Sequence, residues 1–352
     1  MRHKHGGFAT LAVTVLVLLL VAALLMSSHH SLWQGLKTQQ AAFSYRQTHR
    51  MAEAGLNLAE SLLQANPVSA TSDARWPDLV SWERTAQNIG GVALSRWLLR
   101  ASVSGAAGEF LEIRQSLLLY PLLLRLPPAP LTLGGEWHLG GKLDLTIPEA
   151  KPGTWAIWSP TAQPLSTGML RLCGKTPCHA LPAGLYRADK HADLRLEDPA
   201  FPQLLPDYLF GLPSREIALS ELRGMATENR PDCRDLSSSS QGLVMISGHC
   251  QLSGEVGTAN TPLLLVVEQG TLLLSEKSRL HGLLLLLAPS QGSATLGFAS
   301  QSAIEGAVVV DGELVINGSR GQILYDQATL RALQQLPQVQ RLIRVPGSWR
   351  DW

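Results

Sequence analysis

MRHKHGGFATLAVTVLVLLLVAALLM, residues 1–26, decides how this chain is held. A short basic leader (Arg2, His3, Lys4, His5) precedes Gly6 and Gly7. An apolar run then extends from Phe8 to Met26, broken only by Thr10 and Thr14. As a helix rising about 1.5 Å per residue, that run spans about 28 Å, close to one hydrocarbon core. A secretory signal has a shorter apolar centre followed by a small-x-small cleavage site. Here the small residues come before the apolar run. That order predicts a leader clipped on the cytoplasmic side, with the apolar helix kept on the mature protein.

The stretch resembles the class III signal of type IV pilins and type II secretion pseudopilins. The resemblance implies cleavage after Gly7 by a prepilin peptidase and N-methylation of Phe8. Arg2 and Lys4 would hold the leader inside, as the positive-inside rule requires. Such pilins usually carry Glu at the fifth mature position, and here that position is Ala12. An uncut signal anchor is the alternative.

Past Met26 the chain turns polar without breaking. No proline occurs between Ser27 and Asn66, and only Gly35 and Gly55 weaken a helix. Leu32, Leu36, Phe43, Met51, Ala54, Leu58 and Leu62 form a one-sided apolar stripe. Pro67 ends it by pushing Asn66 out of helical geometry. The expectation is one long helix over residues 8–66; a membrane helix followed by a separate packed helix is the alternative. Within it, Met51-Ala52-Glu53-Ala54-Gly55-Leu56 resembles a segment of PilX-type pilus assembly proteins. In those, as in K-type pseudopilins, the fifth mature residue is often apolar, which removes the objection at Ala12. The resemblance marks Ala12, Glu53, Ala54 and Gly55 as helix-packing residues, since small residues let another element approach closely.

Net charge is +1, so no overall field favours nucleic acid or an anionic surface. Charged residues make up only 16% of the chain, which fits an apolar helix joined to a tightly turned β body. Cys173, Cys178, Cys233 and Cys250 all follow the membrane segment, where an oxidising periplasm permits disulfides. Four cysteines allow three connectivities. The close pair Cys173 and Cys178 most simply closes a tight loop. A zinc half-site with His179 lacks a second ligand pair.

Residues 66–85 read as a polar surface connection or short helical passage. Residues 94–104 and 110–124 read as a hairpin, so that 67–130 forms a connecting region. From residue 131 to 352 short apolar strands alternate with glycines, an irregular aromatic segment falls at 199–212, and a short helix over 327–336 caps the open end. Strand runs occur at 263–267, 272–274, 283–287, 307–310, 314–316 and 323–325; the last five start at or near turn glycines, and together they predict a β-helix-like stack, with a sandwich as the alternative. Residues 283–287 show no alternation and should be buried on both faces.

Chemistry is sparse. Ten histidines give neither a catalytic triad signature nor HExxH. Gly168 to Thr176 has the wrong glycine spacing for a P-loop, and residues 317–321 lack one residue of a nucleophile elbow. No catalytic, cofactor or metal site is expected. The expected class is α+β: a long N-terminal pilin-like membrane helix followed by a β-rich periplasmic body. The PilX resemblance implies a minor pilin-like assembly subunit in the bacterial inner membrane, initiating or tip-proximal. Its expected partners are other minor and major pilins, the prepilin peptidase and the membrane, and no nucleic acid. A K-type pseudopilin and a membrane-anchored periplasmic β-helix binding protein are the alternatives.

Overall fold

The computed structural model describes residues 6–65, 80–89, 92–105, 108, 110–147, 154–161, 165–174, 178–181, 193–289 and 292–351. Helix α1 runs unbroken from Gly6–Ala65, 60 residues and about 90 Å. The alternative of two separate helices is therefore set aside. The chain divides into two compact units. The first comprises residues 1–85, 96–118 and 343–352; the second comprises 86–95 and 119–342. The second is thus largely an insertion in the first.

The first unit carries α1 and strands of a five-stranded sheet. Alternate residues of Val92–Ser104 are buried: Trp97, Leu99, Ala101 and Val103. Leu111, Ile113 and Leu117 of Phe110–Pro121 are buried too. This period of two gives the sheet one apolar face. Strand Val80–Ile89 replaces the polar connection expected up to residue 85. Its tertiary pairing outweighs a turn-rich composition; residues 66–79 lie outside the described residues.

The second unit is built from three parallel ladders. The first runs through Gly242–Ile246, Leu263–Val267, residues 282–286, residues 308–310, Leu131–Leu133, Ile157–Trp158 and Leu194–Arg195. Glu228–Arg230 lies parallel at its other end. The second ladder holds Cys250–Leu252, Thr271–Leu274, Ala294–Phe298, Leu314–Gly318, Trp137–Leu139 and Leu165–Ser166. The third holds Glu255–Val256, residues 279–280, residues 302–306, Gly321–Tyr325, Lys142–Thr146 and Met169–Cys173. The chain visits first, second and third ladder in turn and then repeats. The circuit that begins at Leu131 stacks after the one that ends at Tyr325.

One face of each ladder turns into a shared core of Leu, Ile and Val, including Leu265, Leu284, Val308, Leu296, Ile316 and Ile323. The other face of the first ladder is apolar as well: Met245, Leu264, Val266, Leu283, Leu285 and Val309. It is covered by α2 (Leu205–Phe210), α3 (Arg215–Met225) and α4 (Gln327–Gln335), through Leu209, Phe210, Leu222, Leu330 and Leu333. This explains the unalternating run at 283–287: even positions enter one core, odd positions the other. Two sequence expectations change here. Residues 205–210 are helical within the segment read as irregular, with Gly211 closing α2 at φ 67°. Helix α4 packs on a ladder face and not over the end of the stack, because its apolar stripe matches that face.

Corners between the third and first ladders need glycine. Gly282 and Gly306 face each other in register with φ 135° and 141°. A Cβ on Gly306 would lie 1.8 Å from the Gly282 carbonyl oxygen. The disulfides are Cys173–Cys178 and Cys233–Cys250. The first closes the hairpin in which His179–Leu181 turns antiparallel after the last parallel strand of the third ladder. The second ties the segment after Glu228–Arg230 to the first strand of the second ladder.

Candidate functional site: the N-terminal helix

Helix α1 has two halves of different character. From Leu11 to Phe43 the described side chains are exposed, with Leu18, Leu25 and Phe43 each showing about two-thirds or more of their surface. No Asp, Glu, Lys or Arg occurs between Phe8 and Leu36. Polar side chains in this half bond back to their own helix: Thr14 Oγ1 donates to Leu11 O at 2.9 Å, and Ser28 Oγ to Leu25 O at 3.0 Å. The backbone is satisfied within the helix, so the apolar run up to Met26 can enter hydrocarbon without leaving bare polar groups. Among the described residues, the one helix long and apolar enough to cross a membrane is α1, over Val13–Gln64. Lys37 Nζ lies 3.9 Å from the Trp33 ring centroid, an aromatic–cation pair suited to a lipid–water boundary.

The second half is one-sided. Thr48, Ala52, Gly55, Leu56, Ala59 and Leu63 are buried along a single stripe. Its small members let the helix backbone come close to its neighbour. Leu56 and Glu60 share a cavity of about 180 Å³ with Leu99 and Gln115 of the sheet, which places this half against the first unit's sheet. Arg344 and Trp349 close the cavity's rim. His49 Nδ1 lies 3.7 Å from Glu53 Oε1.

The sequence-marked residues fall at different places in this frame. Gly7, Phe8 and Ala12 lie within α1; the leader residues before Gly6 lie outside the described residues. Gly55 is buried in the stripe, whereas Glu53 and Ala54 face out. Arg344 and its partners on α1, Asn57 and Glu60, carried no sequence signal. They are separated by more than 280 residues, and no local pattern marks such a pair.

Elsewhere, charged groups pair both locally and across strands. The Asp198 carboxylate accepts from Trp158 Nε1 at 2.8 Å, Arg195 Nη2 at 3.0 Å and Ala200 N at 3.1 Å. The Arg195 hydrogen bond, with smaller help from Trp158, pulls the Asp198 pKa down to about 2. Asp144 accepts from Arg320, and His281 lies between Glu255 and Glu305. The Tyr325 hydroxyl donates to Pro127 O at 2.7 Å, and burial raises its pKa to about 12. These groups fasten strands and do not converge on a common point. Among the described residues, no group of three or more His, Cys, Asp and Glu could hold a metal ion. The sulfurs beside His179 are bonded to each other and are not available as thiolate ligands.

No protein-family model matches this chain, and no curated protein is significantly similar to it. Among solved structures, the competence-associated pilin ComZ from Thermus thermophilus matches at 10% identity over 88% of this chain and 97% of that one. The TM-score is 0.28, a value at which the likeness carries no argument.

Proposed function

We propose that this chain is a pilin-like structural subunit, of the PilX-type minor pilin kind, held in the bacterial inner membrane by α1 with its β body in the periplasm. The observation that carries the reading is α1 itself. A single unbroken helix leaves its first half apolar and uncovered, and seats its second half on a sheet through small residues. The uncovered half needs an apolar surrounding, which a bilayer supplies first and neighbouring pilin helices supply in a filament. The basic leader and Gly6-Gly7 support processing after Gly7, with Phe8 as the mature N-terminus. Ala12 spares the bilayer a buried carboxylate, worth about 2.5–3.5 kcal/mol on insertion scales. It also offers no partner to a neighbouring amino terminus, which suits an initiating or tip-proximal subunit better than a repeating one. The three ladders and their glycine corners support reading the second unit as a β-helix-like stack.

A specific observation favours one second reading. The second ladder's outer surface carries a shallow concavity of about 350 Å³ with Gln251, Leu273, Ser275 and Asn317 on its lining. A membrane-anchored binding protein would use such a surface without entering a filament. The intact mass of the mature protein, with and without prepilin peptidase, separates the two. The pilin reading expects loss of residues 1–7 and one added methyl on Phe8. An intact leader beside an active peptidase defeats it and leaves the anchored binding protein.

A further inference from the structure

The first unit cannot be finished until the inserted second unit has been made. Residues 1–85 and 96–118 are joined by residues 343–352, which follow the whole second unit in sequence. This last segment supplies specific fastenings. Arg344 donates from Nε and Nη2 to Glu60 Oε2 at 2.9 and 2.7 Å, and from Nη2 to Asn57 Oδ1 at 3.0 Å. The Glu60 side chain is only 17% exposed, so losing the guanidinium would leave a largely buried carboxylate without its cation. Ser348 works on the sheet side. Its hydroxyl accepts from Ser116 N at 3.1 Å and Gln115 Nε2 at 3.0 Å, and donates to Val345 O at 2.6 Å. Val345 N donates to Ser116 O at 2.9 Å. Arg350 and Asp351 then pair antiparallel with Arg114 and Ile113. The Trp349 ring lies 5.9 Å from His49 on α1. One short segment thus grips the helix at Asn57 and Glu60 and the sheet at residues 113–116.

We infer that residues 343–351 are a closing latch that fastens the second half of α1 to its sheet, and that does so only once the inserted unit has been made. The seat of α1 is held by few large side chains: Ala52, Gly55 and Ala59 contribute little area, and Leu56 and Leu63 contribute most. A marginal apolar seat gains from polar fastening at its edge, and the fastening follows the inserted unit in the chain. The latch is a property of the folded subunit and holds whether or not α1 enters a filament.

Hydrogen exchange read by mass spectrometry on the full chain in detergent tests it. Arg344→Glu and Ser348→Ala should each speed exchange over residues 52–63 about tenfold, equivalent to about 1.4 kcal/mol. Exchange in the strands at 263–310 should stay unchanged. Combining Arg344→Glu with Glu60→Arg should restore slow exchange on the helix. Arg344→Gln, which keeps a donor but not the charge, should fall between wild type and Arg344→Glu and covers the case in which the reversal prevents folding. Unchanged exchange over 52–63 in the single variants overturns the latch. So does a charge swap that stays as loose as its parents, or loosening that spreads equally into the inserted unit.

Discussion

Residues 18–20 and 283–287 are both runs of leucine, and they end in opposite places. Those in α1 are more than half exposed, whereas those in the strand are 2% exposed or less. Side-chain chemistry does not separate them; backbone hydrogen bonding does. A helix pairs its own N–H and C=O groups, so its apolar surface can be left for lipid or for other helices. A strand must find neighbours for its backbone, and the neighbours that pair it also bury it. The same composition therefore makes an external surface in one region and an internal core in the other.

Four substitutions test that contrast. Gly306→Ala should be the most damaging, because a Cβ there meets the Gly282 carbonyl and φ is 141°. A loss of about 5 kcal/mol, or no folded second unit, is expected by circular dichroism melting. Leu284→Ala should cost about 3–4 kcal/mol in denaturant unfolding, as a fully buried leucine does. Leu18→Ala should leave the unfolding of the β body unmoved; an equal loss from both would erase the distinction drawn here. Replacing Cys233 and Cys250 by Ser should cost up to about 3 kcal/mol on the chain-entropy model, read as a lower melting temperature. A melting temperature unchanged by that replacement would mean the ladder ends are held without the bridge.

A further effect concerns pH. Asp198 titrates at about 2 in the fold, chiefly because Arg195 hydrogen-bonds its carboxylate. The unfolded value is near 3.9. The ionised group therefore contributes stability that is complete above about pH 4 and is lost as pH falls through about 2. Wild type should lose stability more steeply than Asp198→Asn across that window, in urea unfolding followed by tryptophan fluorescence. Parallel curves would mean that the carboxylate's charge does not matter there.

Much of the fold was legible in residue order. The unbroken helix followed from the absence of proline up to Asn66, and the strand at Leu263–Val267 from a bounded apolar run. Burial of 283–287 on both faces followed from the lack of alternation. Helix α3 was not read from residue order: five of the eleven residues of Arg215–Met225 are apolar, but its buried Ala218 and Leu222 acquire meaning only against the ladder face with Met245 and Val266. Strand Val80–Ile89 was hidden for a similar reason, since its polar sequence is ordered by its neighbour in the sheet.

For the candidate site the division is sharper. Residue order alone sets residues 8–26 as an apolar helix behind a basic leader, because length, charge and periodicity are local quantities. It also determined that glycines punctuate the β body. Only the assembled fold sets which side of α1 is seated, with Gly55 inward and Ala54 outward. Only it brought Arg344 to Glu60 and stacked the circuit at Leu131 after the one ending at Tyr325. Those contacts join residues far apart in the chain, and they are selected by shape and hydrogen-bond satisfaction across the whole fold, which no local pattern encodes.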